Sequence, residues 1–509
     1  MSAVIQADVV ILGSGAGGGT VAKALAPLAE AGKRVLLLEK GFRLDSSKLP
    51  EGEAARASLL YAGGGARPTA DHGVTLAYAE GVGGSTQVYT GTSLLPPVRV
   101  LDRWRVPGLD PADLVARARR YADENGVDFI PEDRLNDNNR LFRLGCERLG
   151  WKAEQFPVNV RGCKGSSLCN LGCPNQAKQG THMVQIPAAQ ARGVEVVTGA
   201  EAWTVRQASG GAEVDVVVDG RPHPQGGGGE WLPGRYTVKA RSVVAACGAV
   251  QTPALLLRSG FGHRLHTLGR YWTCHPAHIL AGLHPQPITN FVGHPKSFVW
   301  QERIEEDRFY LEACMYFPFT TAKNLSGFGA DHARFMEAYD RLQMILVLAC
   351  DEALPEHRVE VDFQGRPVVH YRLTPATIRA MVKATRAAAR IFFAAGAEAV
   401  HAPSADPRLI TRAEDADLEA RIAERHFRPG SVSVSAAHLM GGCRMGHSPA
   451  DSVTDAWGRV HGAPWLFVAD ASLFPSALEI NPYLTIMALA DRAAQAVAER
   501  EGVALPVPA

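Results

Sequence analysis

Residues 8–39 constrain the architecture more than any other stretch of the chain. Asp8 to Leu12 is a short apolar run, Gly13-Ser14-Gly15-Ala16-Gly17-Gly18 follows it directly, a helical segment continues to about Glu30, and a second apolar run, Arg34 to Glu39, ends on a carboxylate. Strand, glycine turn, helix and strand together predict a βαβ unit in which Gly13 makes the tight turn, Gly15 lets backbone approach a pyrophosphate, and Gly18 lets the helix pack on the strand. Glu39 falls about 20 residues beyond the last glycine, the position from which a carboxylate binds ribose hydroxyls and rejects a 2′-phosphate. The unit predicts a dinucleotide and does not choose between FAD and NAD.

Charge narrows the partners. Lys plus Arg (53) balances Asp plus Glu (52), so nothing favours nucleic acid or an anionic membrane, and small neutral molecules are the expected partners. No window approaches the roughly 18 apolar residues of a membrane span, and the opening MSAVIQADVVILGSG has no basic leader, so a cytoplasmic protein is expected. Nine cysteines in 509 residues are too dilute for a disulfide scaffold, which leaves them as thiols or ligands.

Further along, Val194 to Val205 reads as a strand, and Val214–Val218 with Tyr236–Val238 as a hairpin around a flexible tip containing Gly226 to Gly229. Ser242 to Cys247 has the short apolar character of a buried parallel strand. Residues 271–430 scatter aromatics among strand-like runs, as an antiparallel substrate-facing sheet would. Thr374-Pro375 opens a helix that Gly396 ends, with Thr385 the one polar interruption of its apolar face. These features predict an α/β chain with a Rossmann-like dinucleotide-binding domain from residues 1–95, 160–270 and 431–509. A mainly helical connection over 96–159 and a smaller antiparallel-sheet substrate domain over 271–430 complete it.

Three ordered segments resemble the glucose–methanol–choline (GMC) family of flavoenzymes, which includes cholesterol oxidase and FAD-dependent sugar dehydrogenases. Gly81-Val82-Gly83-Gly84-Ser85-Thr86 is similar to the family's glycine loop beside the isoalloxazine ring. Gly248 to Gly262 matches its second signature except at Phe261, where an aliphatic residue is usual. The third segment, Ala437 to Gly446, is followed by Leu466 to Ser472 and Asn481-Pro482-Tyr483-Leu484-Thr485.

The resemblance implies FAD as cofactor and oxidation of an alcohol by hydride transfer to the flavin, with His438 as general base and Asn481 as hydrogen-bond donor to the substrate oxygen. It assigns cofactor contacts to Gly83, Gly84, Ser85, Asp470 and Ala471. The free amides of Tyr483 and Leu484 at a helix start would face the flavin pyrimidine edge, where reduction places negative charge. His275, in Cys274-His275-Pro276, recurs at a similar position in relatives; a structural reading is favoured for it, with a site role as the alternative. Two rivals stand beside this: a flavin electron-transfer subunit without an organic substrate, and non-alcohol chemistry on the same fold. The substrate reading covers sugars, polyols and hydrophobic alcohols such as sterols.

Cys163, Cys169 and Cys173 form a C-x5-C-x3-C-P array in a Gly- and Ser-rich loop. Three thiolates closing on one point suit a metal, and the spacing resembles iron–sulfur FAD glucose dehydrogenases, so a 3Fe-4S cluster passing electrons to a small protein or cytochrome is expected. The alternative is an oxygen-using oxidase in which these are plain thiols, since Cys146 is the nearest fourth cysteine and lies far along the chain.

Overall fold

The computed structural model describes residues 3–226 and 229–505; Gly227 and Gly228 of the polyglycine tip lie outside the described residues. A parallel sheet runs in the order Glu195–Val197, Val35–Leu38, Ala3–Leu12, Gly234–Ala245 and Leu466–Val468. Its central residues are fully buried, as sequences apolar on both strand faces must be. Helices Ala16–Ala24 and Tyr483–Arg500 pack together against it. The expected hairpin is present as Gly211–Val218 paired with Gly234–Ala245, and Ala200–Ala208 adds a further antiparallel strand. The single strand expected over 194–205 is divided instead: Gly199, with φ +68°, turns the chain between Glu195–Val197 and Ala200–Ala208.

The second sheet is antiparallel at its centre, with Ala277–Leu283, Leu342–Ala349, Phe309–Ala313 and Phe298–Trp300 side by side. Helix Pro375–Ala395 covers one of its faces. The Thr374 hydroxyl caps that helix by accepting from the Thr377 amide at 3.1 Å, and Gly396 ends it at φ +108°. Thr385 is buried there without penalty, because its hydroxyl donates to the Met381 carbonyl at 2.7 Å and lies 3.0 Å from His278 Nε2.

The stretch 96–159 is mainly helical and divides its loyalties. Pro111–Glu124 packs against the final helix, whereas Asp137–Arg148 packs against Pro375–Ala395 and Glu154-Gln155 joins the second sheet beside Phe298-Val299. It ties the two sheets together and leaves a deep cavity between them.

Candidate active site

The first glycine turn is shaped by contacts that no side chain could survive. A Cβ on Gly17 would stand 1.7 Å from the Ala469 carbonyl oxygen, and one on Gly18 would stand 1.9 Å from that of Gly13. These contacts pull helix Ala16–Ala24 onto the sheet so that its uncapped amino terminus opens into the cavity. The second glycine loop lies directly on the first: a Cβ on Gly84 would come within 2.9 Å of the Gly15 Cα. Ser14 joins the two, its hydroxyl donating to Glu39 at 2.6 Å and accepting from the Gly83 amide at 3.0 Å.

Glu39 is buried at the end of Val35–Leu38, where its carboxylate also accepts from the amides of Ser14 at 3.0 Å, Gly41 at 2.9 Å and Gly81 at 3.3 Å. Burial pushes its pKa up despite those donors. Asp470, buried beyond Leu466–Val468, accepts from the Gly248 amide at 2.8 Å, Thr252 Oγ1 at 2.5 Å and the Ser472 amide at 2.8 Å, and is likewise raised by burial. It pins the Gly248 turn, the start of the second signature, to the strand end.

One continuous cavity extends from this nucleotide end to the second sheet. Gly13, Gly15, Glu39, Gly84, Ser85, Asp470, Ala471, Tyr483, His438 and Asn481 all line it, which gathers these expected site residues from six separate parts of the chain. Three expected contacts are displaced from its wall. Gly18 serves helix packing, Gly83 is turned toward His182, whose Cβ would lie 2.9 Å from a Gly83 Cβ, and Leu484 is buried in the core of the first sheet.

At the far end, His438 Nδ1 lies 2.9 Å from His275 Nδ1, and Asn481 Nδ2 lies 3.2 Å from His438 Nε2. Asn481 spends no hydrogen bond on capping the final helix, whose cap position is Pro482. Its Oδ1 is buried without a partner among the described residues. Burial, then His275 and Lys296, hold His438 well below the usual imidazole range. The His275 ring is buried between Tyr310, whose hydroxyl is 3.0 Å from Nδ1, and the Leu478 carbonyl, which meets Nε2; burial lowers its pKa to about 4.

Three groups here lie outside the expected site. His275 touches His438 directly, where the sequence reading favoured a structural role; its recurrence beside a Pro in relatives was the one signal for it. Lys296 lines the cavity and pairs with buried Glu312. Glu479, buried between Leu478 and Asn481, carries ion pairs to Arg99, Arg103 and Arg308. Burial opposes its charge, but the three arginines outweigh that and hold its carboxyl below the ordinary range.

The cysteine array behaves otherwise than expected. Cys163, Cys169 and Cys173 are free thiols, and among the described residues no group of three His, Cys, Asp or Glu side chains converges to hold a metal ion. The loop is organised by its backbone instead. Arg56 binds the carbonyls of Leu171 at 3.2 Å and Gly172 at 3.1 Å, Tyr61 binds that of Asn170 at 2.7 Å, and Lys178 binds that of Cys169. With those carbonyls facing the cations, Cys169 stays buried with its thiol pushed up to about 12. A 3Fe-4S site on these three residues draws no support from this arrangement.

A βαβ glycine turn, a buried Glu at the second strand end and a histidine–asparagine pair on one cavity define a dinucleotide-dependent oxidoreductase. The chain belongs to the GMC oxidoreductase family: the family's amino-terminal domain matches residues 57–277 and its carboxyl-terminal domain residues 358–490. An uncharacterised GMC-type oxidoreductase of Mycobacterium tuberculosis is 34% identical, covering 98% of this chain and 77% of that protein. A long-chain-alcohol oxidase of Arabidopsis thaliana is 28% identical over 96% of this chain and 68% of its own length. Pyridoxine 4-oxidase from Mesorbium loti shares the fold, with a TM-score of 0.64 at 17% identity, covering 96% of this chain and 98% of that one.

FAD is the family's cofactor, and the cavity fits it. Gly13, Gly15 and Gly84 line the nucleotide end with backbone alone, the adjoining helix start presents free amides to a pyrophosphate there, and Asn481 Oδ1 stands as an unanswered acceptor at the other end. Among the described residues no helix is long and apolar enough to cross a membrane.

Proposed function

We propose that the protein oxidises a hydrophobic primary or secondary alcohol to the carbonyl. The observation that carries this reading is the pairing of His438 Nε2 with Asn481 Nδ2 at 3.2 Å on the cavity wall. When bound, FAD supplies the acceptor for the two electrons and the hydrogen that leave carbon. His438 takes the hydroxyl proton, for which a neutral imidazole is required, and its lowered pKa keeps it neutral. Asn481 donates to the same oxygen and steadies the charge that develops there as the proton leaves. Glu39 and the amides at the start of Ala16–Ala24 hold the nucleotide end, and Asp470 fixes the turn at Gly248 beside it.

The floor beyond His438 is made of Ala277, Ile279, Leu346 and Leu348 on adjacent strands. That surface favours an alkyl chain or ring system over a polyhydroxylated sugar. The resemblance to a long-chain-alcohol oxidase points the same way. The electron acceptor we propose is a small molecule such as oxygen, since among the described residues Cys163, Cys169 and Cys173 converge on no metal-holding group and a relative is named as a long-chain-alcohol oxidase.

The test is single-turnover flavin bleaching by stopped flow. His438→Ala should slow it about two to four orders of magnitude with FAD still bound, the range for loss of a positioned base, and Asn481→Ala should slow it less. Near-normal bleaching in His438→Ala overturns the reading.

A further inference from the structure

A base that accepts the substrate proton at Nε2 must leave that nitrogen bare, which requires the ring's one proton to sit on Nδ1. Free neutral histidine in water prefers the opposite tautomer, so the protein has to impose this one. The hydrogen-bond order behind His438 does so. The Leu478 carbonyl can only accept, so the His275 nitrogen that meets it, Nε2, carries the hydrogen. Fully buried with no carboxylate in hydrogen-bond contact, His275 is neutral and its Nδ1 is therefore an acceptor. His438 Nδ1, 2.9 Å away, must then be the donor. At the other edge of the His438 ring, Asn481 Nδ2 donates toward Nε2 from 3.2 Å, which is compatible only with a bare nitrogen. The Tyr310 hydroxyl, 3.0 Å from His275 Nδ1, is a second donor converging on the same lone pair.

We propose that His275 is a positioning residue that holds His438 in the Nδ1–H tautomer and so keeps Nε2 bare for the substrate hydroxyl. Leu478, which sets the proton position on His275, is itself fixed by its neighbour Glu479. That carboxylate binds Arg99 and Arg103 from helix Val98–Trp104 and Arg308 from the edge of strand Phe309–Ala313. Two separate segments thus converge on the loop that anchors the relay.

The inference rests on His438 being the base, and its test separates the two. Nitrogen-15 NMR of the holoenzyme labelled at histidine, with the His438 signals identified by their loss in His438→Gln, reads the tautomer without turnover. The expected spectrum has His438 protonated at Nδ1 and bare at Nε2. His275→Phe should lose that pattern and lower kcat at least tenfold with little change in KM. His275→Gln, whose amide can both donate to Leu478 and accept from His438, should recover most of the rate. An Nε2–H tautomer in the unaltered enzyme overturns the proposal, and this decides it even where His275→Phe fails to fold. Normal kcat in a folded His275→Phe also overturns it. Turnover retained in His438→Ala would instead sink the base assignment while leaving the measured tautomer standing.

Discussion

Lys296→Met isolates one buried charge, and its cost can be worked out. The Lys296 and Glu312 side chains are 8% and 1% exposed and pair with each other. Removing the ammonium leaves a carboxylate with no compensating ion, a situation that costs about 3–5 kcal/mol when the charge is retained. Lys296→Met should therefore lose about 3–5 kcal/mol of stability at pH 7. Lys296→Met/Glu312→Gln, with neither charge present, should recover most of the loss. Urea unfolding of the parent and both variants at pH 7 measures the values. A single variant as stable as the parent, or a double variant no better than the single one, contradicts this. A second consequence is kinetic. Lys296 is one of the groups that depress His438, after burial and His275, so its loss should move the acid limb of flavin bleaching to higher pH.

Other outcomes follow from the same coordinates. His275, His278, His294 and His401 are buried with pKa values lowered to between about 3 and about 4, against 6.5 in the unfolded chain. The unfolded state therefore binds more protons between those limits, and stability should fall as pH drops below 6.5, by about 1 kcal/mol for each histidine at pH 5.5; a urea midpoint unchanged from pH 7.5 to 5.5 would contradict this. The loop Gly81 to Thr86 contains no histidine for covalent attachment. Acid precipitation should leave FAD in the supernatant, and flavin retained in the pellet would show a covalent link.

Much of the nucleotide end was legible because it depends on local rules. A glycine turn must follow its strand immediately, and the carboxylate must end the next strand, so Gly13, Gly15 and Glu39 could be placed by counting. The long helix was equally readable: Thr374-Pro375 and Gly396 are terminal signals, and the apolar period between them was right. What the sequence could not show was contacts assembled across distance outside the family motifs. His275 and His438 are 163 residues apart and meet only because Thr273-Cys274 pairs with Leu439-Met440. Glu479 and its arginines come from three segments with no spacing in common. The cysteine array shows a pattern that the fold does not support. Close spacing suggested convergence, but Arg56, Tyr61 and Lys178 set the loop through its carbonyls, and a sequence pattern of thiols does not report which way the backbone faces. Thr385 is a smaller case: its partner, His278, lies on strand Ala277–Leu283, so an apparent flaw in the helix was a satisfied contact.

In the proposed reaction this cavity turns an alcohol hydroxyl toward His438, and its electrons pass to FAD. Anaerobic flavin bleaching of the purified holoenzyme, followed across long-chain alcohols, sterols, polyols and sugars, tests it most directly. Rapid loss of the oxidised flavin absorbance is expected with alcohols carrying an extended apolar group, and slow or no loss with sugars. Flavin that stays oxidised in the presence of every alcohol in the panel would contradict it.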